Sequence, residues 1–245
     1  MSRVALPPVG RIDVAAEYAE LRTRRVNYSV GEVDQDSWNH DVYRSPLSAE
    51  RPGPPEPAGV WERACRLVES YQFTTPEIVR AFYDPHAPLL GRDMLLQGRF
   101  YGLRFYLGVR VTSIIDETRK DEQRLWGWAY ETLEGHLERG RISYEVVKDL
   151  RTGTVEFVIT AYSQLAPTVD LVTRLGWRAF GRRTQLRFYD ACGVRLHDLV
   201  TASGPAPTPL LLPAGDGELV LAPADAQRQW LDRLALHRSR PGEIQ

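Results

Sequence analysis

Two cysteines, Cys65 and Cys192, and two lysines, Lys120 and Lys148, are all that the 245 residues hold of either type. The cysteines stand far apart, in no metal or redox spacing, which argues against a disulfide framework and for a reducing compartment. Scarce lysine leaves the positive charge to arginine. With 31 basic against 32 acidic side chains, the formal net charge is -1 and the pI is near 6.5. Such a chain has no bulk field to draw it to nucleic acid or to an anionic membrane, and no nucleic-acid partner is expected. Long apolar runs are missing too. No window approaches the ~20 apolar residues of a membrane span, and the opening MSRVALPPVGRIDVAAEY lacks the apolar stretch of a secretory signal, so a cytoplasmic protein is expected.

Common chemistries are absent as motifs. No Gly-Lys pair exists to build a Walker phosphate loop, and there is no GxSxG, HExxH, CxxC or GxGxxG. His40, His86, His136, His197 and His237 show no ligand spacing, so neither a metal nor a cofactor is expected.

What remains is ordinary globular material, 43% hydrophobic and 26% charged, enough for one good-sized core or a main domain with an appendage. Residues 1–25 read as an N-terminal helical extension, with Ile12, Ala15, Ala16 and Ala19 at helical spacing. VNYSVGE reads as a strand. Residues 34–58, containing RSPLSAERPGPPEPAG, show no period and read as a long loop or lid. GVWERACRLVESYQF then places Val60, Ala64, Leu67, Val68 and Tyr71 on one helical face. TTPEIVRAFYDP opens on a capping signature, Thr74 with Glu77 or Thr75 before Pro76, and reads as a second short helix.

From Gly91 to Ser163 the period is two, as in Leu103, Phe105, Leu107, Val109 and Val111, with DETRKDEQ and DLRTG as polar connectors of hairpin length. After Pro167 the helical period returns through Leu171, Val172, Leu175, Ala179, Leu186 and Tyr189, with Gly176, Gly181 and Gly193 expected to bend or end the helix. The arginines of this stretch read as a solvated face or partners for Glu145 and Glu156, or else as an anion-binding row.

This order predicts an α+β helix-grip (START-like) domain over residues 26–200: a curved antiparallel sheet around a long C-terminal helix, with two short helices after the first strand. Residues 201–245 form an appendage: the linker TASGPAPTP, a possible hairpin in LLLPAGDGELVL, and an amphipathic helix with Ala226, Trp230 and Leu234 on one face. That appendage is expected either to dock on its own domain or to form a homodimer or partner interface, the Pro-rich loop contributing to the latter.

The stretch WGWAYETLEGHLERG concentrates the candidate chemistry. Strand periodicity puts Trp126, Trp128, Tyr130 and Thr132 on one side, a wall for an apolar or amphipathic small molecule, with Tyr144 beside it, or a set of rings that fill the core. LEGHLERG reads as the following turn. Here His136 either ties the turn together, contacts a ligand's polar end, or acts as acid or base with Glu138 as its orienter.

YETLEGHLERG, then VEFVITAYSQLA, then LGWRAFGRRTQLRFY together resemble the domain-of-unknown-function family nineteen-ninety over roughly residues 26–192. Tyr130, Thr132, Leu133, Gly135, His136, Glu138 and Gly140 match its motif. Glu131, Glu134 and Leu137 replace a glycine and two prolines, and Arg141 and Ile142 stand where acidic residues are common. The resemblance implies a helix-grip relative of the START and polyketide-cyclase proteins, which mostly enclose hydrophobic ligands and sometimes act on them; it implies no particular reaction.

Overall fold

The computed structural model describes residues 10–100, 103–167, 182–205, 207–214, 217–229, 232, 234–235 and 237–238. A short strand β1 (Gly10–Arg11) precedes α1 (Val14–Leu21), which Asp13 caps by accepting from the backbone nitrogens of Ala15 and Ala16 at 3.0 and 3.3 Å. Then come β2 (Asn39–Ala49), α2 (Val60–Glu69), β3 (Val79–Tyr83), β4 (Asp93–Phe100), β5 (Leu103–Thr118) and β6 (Gln123–Thr132). β7 (Glu138–Asp149), β8 (Thr154–Leu165), the long helix α3 (Arg182–Thr201), β9 (Leu210–Ala214), β10 (Gly217–Ala222), β11 (Leu234–Ala235) and β12 (His237–Arg238) complete the chain.

The sheet runs β2-β8-β7-β6-β5-β4-β3-β10-β9, antiparallel at every step, and β12 adds in parallel to β5. It is curved and open, and it wraps α3: the expected helix-grip arrangement. Gly193 sits inside α3 without ending it. A Cβ there would lie 2.7 Å from Ser45 and 2.8 Å from the Tyr43 hydroxyl, so glycine at this point lets the helix close on β2. Between sheet, α2 and α3 lies the larger core, with Leu47, Tyr71, Phe73, Trp128, Tyr144 and Phe157 all buried. Each such side chain withdrawn from water stabilises by roughly 2 to 3 kcal/mol.

Several local expectations are corrected. The first strand of the main sheet is not VNYSVGE, which forms one bridge, Val26 to Leu133, and a single 3-10 turn at Val30–Glu32. It lies instead inside the segment expected to be a loop or lid. Pro46 is tolerated there because β2, among the described residues, is an edge strand paired with β8 alone, and the register slips between Pro46 and Ser48. The expected second helix is one turn, closed by Ile78 and Val79 donating to the Thr75 carbonyl, followed by β3. Ala81, Phe82 and Tyr83 are all buried because both faces of β3 are covered, so their run shows no strand alternation.

The second cover is the tail. Leu219, Leu221 and Ala226 join α1 over Phe82, Leu95 and Tyr106, making a smaller core on the outer side of β3, β4 and β5. Tyr106 and Arg104, which alternate with Phe105 and Leu107 along β5, are therefore buried as well. LLLPAGDGELVL does form the expected hairpin, and β10 extends the main sheet beside β3. The expected tail helix is absent over the described residues 223–229, where the chain crosses the sheet in a non-helical path; Trp230 lies outside the described residues. The crossing is anchored by Asp232, which accepts from Arg80 Nη1 at 3.1 Å and Arg104 Nε at 2.9 Å, all three side chains being buried. Residues 168–181, expected to start the long helix, also lie outside the described residues.

At the far end of the sheet, one of the two lysines is wholly buried. Lys148 Nζ donates to Glu50 Oε2 at 2.6 Å and to the Pro54 carbonyl at 3.0 Å, while Glu50 also accepts from the backbone of Trp61 and Glu56. Burial alone would raise the Glu50 carboxyl, but Lys148 and the two backbone donors outweigh it and hold it below the usual carboxylate range. A lowered folded value means stability present above the unfolded carboxylate's value of about 4.3 and lost as pH falls through the folded one. Urea midpoints taken from about pH 7 to about pH 3 should fall on acidification in the wild type, and less steeply in Glu50→Gln, which starts lower. Equal acid slopes would show that this pair does not carry the dependence.

Candidate functional site

The side chains Trp126, Trp128, Tyr130 and Thr132 share one side of β6, facing the larger core. Trp128 is fully buried and its indole donates to the Val68 carbonyl at the end of α2 at 3.2 Å; Trp126 is half-buried. Register brings Tyr144 of β7 directly opposite Trp128. Tyr71 and Phe73, from the segment after α2, and Phe157 of β8 complete the cluster, with ring centroids 4.6 to 6.4 Å apart. The shared aromatic face expected from residue order is thus there, and it is packed on by aromatics that residue order does not bring to it.

Three of these rings carry hydroxyls. Tyr130 and Tyr144 share one hydrogen bond at 3.2 Å, while the Tyr71 hydroxyl, close to both, completes none. Burial keeps all three protonated, pushing Tyr130 up to about 12 and Tyr71 and Tyr144 well above the ordinary tyrosine value. Cys192 approaches from α3, its thiol likewise raised by burial. Tyr71 is also strained. The nitrogens of Tyr71 and Gln72 donate to the carbonyls of Val68 and Leu67, the double bond that closes a helix on a left-handed residue. That place ordinarily takes glycine, yet here a tyrosine holds φ 58°.

LEGHLERG serves a different end. Thr132 Oγ1 donates to Asn27 Oδ1 at 2.7 Å and accepts from the Gly140 nitrogen at 2.9 Å; Asn27 Nδ2 donates to the Glu138 carbonyl at 3.0 Å. Glu134 N donates to the Arg25 carbonyl at 2.8 Å, so the turn fastens the N-terminal segment to the sheet. His136 is buried within it, with Nδ1 2.9 Å from both the nitrogen and the carbonyl oxygen of Glu138. Glu138, expected to orient His136 through its carboxylate, meets that nitrogen with its backbone.

On α3, Arg183 and Arg187 are exposed, Arg182 pairs with Asp41, and Arg195 pairs with Asp225 and the Gln72 carbonyl. Glu156 pairs with Arg44 of β2 instead of with this row. Among the described residues no His, Cys, Asp and Glu side chains are grouped to hold a metal ion, and no helix is long and apolar enough to cross a membrane.

The profile of the family described as Domain of unknown function (DUF1990) matches residues 22–195, most of the chain and all of the strands from β2 to β8. The chain belongs to this family. A relative, the UPF0548 protein of Deinococcus radiodurans, is 28% identical over 195 residues, covering 72% of this chain and 94% of its own. Among solved structures, the Zhui aromatase/cyclase from Streptomyces sp. R1128 is similar at 16% identity and a TM-score of 0.42, over 69% of this chain and 99% of that one. A protein from Thermus thermophilus, TTHA0849, is similar at 12% identity and a TM-score of 0.41, over 69% and 99%. These structural likenesses are distant, and the fold described above stands on the chain's own topology.

Residue order does not point to Tyr71, Phe73, Phe157 or Cys192 as neighbours of the wall. Only Tyr71 leaves a trace, as an apolar-face residue two positions past the helix, and its type there is what a cap would avoid.

Proposed function

We propose that this DUF1990 protein binds an apolar or amphipathic small molecule between its sheet and α3, with Trp126, Trp128, Tyr130 and Tyr144 as the apolar wall. The observation that supports this is a polar cluster in the wrong place for stability alone. A buried hydroxyl without a partner costs about 1 to 3 kcal/mol, and phenylalanine in its place would remove that cost. Tyr71 carries both this cost and a left-handed backbone. Buried polar atoms without partners in an aromatic core are what a ligand's polar end would satisfy. His136, on this reading, shapes the turn beside Tyr130's strand end.

Native mass spectrometry of the full-length protein as purified is expected to show a retained small molecule that leaves on denaturation. A bare mass, together with a melting temperature that no apolar probe shifts, would sink the proposal.

A further inference from the structure

On the outer side of the sheet, away from the aromatic wall, arginines gather where the tail crosses β3, β4 and β5. Arg80 and Arg104 share the Asp232 carboxylate. Arg99 of β4 and Arg104 of β5 are direct partners in register, so two like charges lie side by side on one face, a pairing that costs stability unless an anion sits between them. What sits between them is neutral. Gln229 Oε1 accepts from Arg99 Nη2 at 2.7 Å and from Arg104 Nη2 at 3.1 Å, while Arg99 Nη1 donates to the Pro76 carbonyl at 3.2 Å. Within one guanidinium, Nε and Nη2 share the edge that takes two oxygens of a single oxyanion. On Arg99 that edge is half used: Nη2 meets Gln229, whereas Nε is buried and finds no acceptor.

The electrostatics agree with this geometry. Burial, and after it the charges of Arg80 and Arg104, push the Arg99 guanidinium below its ordinary value; Asp232 and the exposed Glu77 pull the other way without cancelling them. Arg228 of the crossing adds its charge, bearing together with Arg104 on the Tyr106 hydroxyl. The chain that continues past the site adds no acid. Residues 233–242, RLALHRSRPG, contain Arg233, Arg238 and Arg240 and neither Asp nor Glu, and β12 within them runs along β5 at Phe105 and Tyr106.

We propose that Arg99 and Arg104 form a binding site for a phosphate group, which displaces the exposed Gln229 side chain and accepts from both guanidiniums. A dianion suits the place better than a single carboxylate, because Arg80, Arg99 and Arg104 converge there on the one carboxylate of Asp232. The Gln229 nitrogen donates to Asp232 at 2.7 Å, so an anion held beside it also fastens the crossing of the tail to the sheet. This site is separate from the sheet–helix space and stands whether or not that space takes a ligand.

Thermal unfolding of the full-length protein against inorganic phosphate, with sodium chloride at matched ionic strength as the reference, provides the test. The melting temperature is expected to rise with the logarithm of the phosphate concentration, and to rise less with chloride. Gln229→Glu, which sets a carboxylate between the two guanidiniums, is expected to raise the melting temperature by roughly 3 °C or more without phosphate and to remove most of the phosphate response. Arg99→Gln is expected to remove the response as well, and the general stabilisation by phosphate that all three proteins share cancels in the comparison. Phenyl phosphate separates two sources of the same chemistry: a stronger response than to inorganic phosphate assigns the group to a larger molecule, and an equal or weaker one assigns the free ion. No response in the wild type, the same response in all three proteins, or a Gln229→Glu protein that is no more stable would each overturn the site. So would a response that appears only in Glu243→Gln, because the last acid of the tail would then be the occupant.

Discussion

Asp232→Ala is expected to destabilise the protein by about 3 to 5 kcal/mol, lowering the melting temperature by roughly 10 °C. Asp232 is the carboxylate between Arg80 and Arg104 on the outer side of the sheet, with side-chain exposures of 7%, 4% and 3%. Once it is gone, Arg80 keeps only the carbonyls of Pro76 and Gln227 as acceptors, so a buried positive charge loses its counter-charge. The backbone carbonyl of Asp232 also accepts from Tyr106, whose hydroxyl in turn accepts from Gln97 at 2.6 Å, and the side chain takes the Gln229 nitrogen at 2.7 Å. The loss therefore loosens the whole crossing of the tail. A double-mutant cycle with Arg80→Leu supplies the check, because removing both charges should cost less than the sum of the single changes. A loss under about 1 kcal/mol, or simple additivity, would mean that the tail is held chiefly by its apolar contacts. Truncation at residue 201 tests the same docking more coarsely. It removes β10 and uncovers Phe82, Leu95 and Tyr106, and is expected to unfold the domain.

Gly140→Ala is expected to cost about 3 kcal/mol or more, for a steric reason. The residue holds φ 158° where β7 begins to pair with β8, and a Cβ would sit 2.1 Å from the Tyr162 carbonyl oxygen and 2.9 Å from the Ser163 Cα. Both are backbone atoms of a central strand that cannot swing aside. Relief would have to come from separating β7 and β8 or from breaking the Gly140 to Thr132 hydrogen bond, which also holds Asn27. Gly31→Ala is the control, since a Cβ there meets nothing within 4 Å. Chemical denaturation of the two variants side by side should give a large loss for the first and nearly none for the second; equal values would refute the close approach.

The same fifteen residues show how far residue order reaches. In WGWAYETLEGHLERG the alternation of Trp126, Trp128, Tyr130 and Thr132 was legible because strand period and burial are local properties of one segment. The glycine-bounded turn was legible for a similar reason. That the turn works as a clamp on Asn27 and Arg25 was not, since those residues are more than a hundred positions away and no periodicity reports them. β2 is not legible because Pro46 reads as a breaker unless the strand is known to be an edge. β3 is not legible because a strand covered on both faces shows no alternation, and its second cover comes from the far end of the chain.

Residue order by itself therefore determined the helix-grip class, the run of antiparallel strands from Gly91 to Ser163, the helix at Val60–Glu69 and the aromatic face of β6. Each of these follows from a repeating pattern within one element. Tertiary structure alone decided that Tyr71, Tyr130, Tyr144 and Cys192 meet, that Lys148 is sealed against Glu50, and that Asp232 brings the tail back over Arg80 and Arg104. These contacts join positions whose separation along the chain carries no signal. They depend on strand register, on a bulge such as that between Val111 and Ser113, and on which faces are left for later segments to cover.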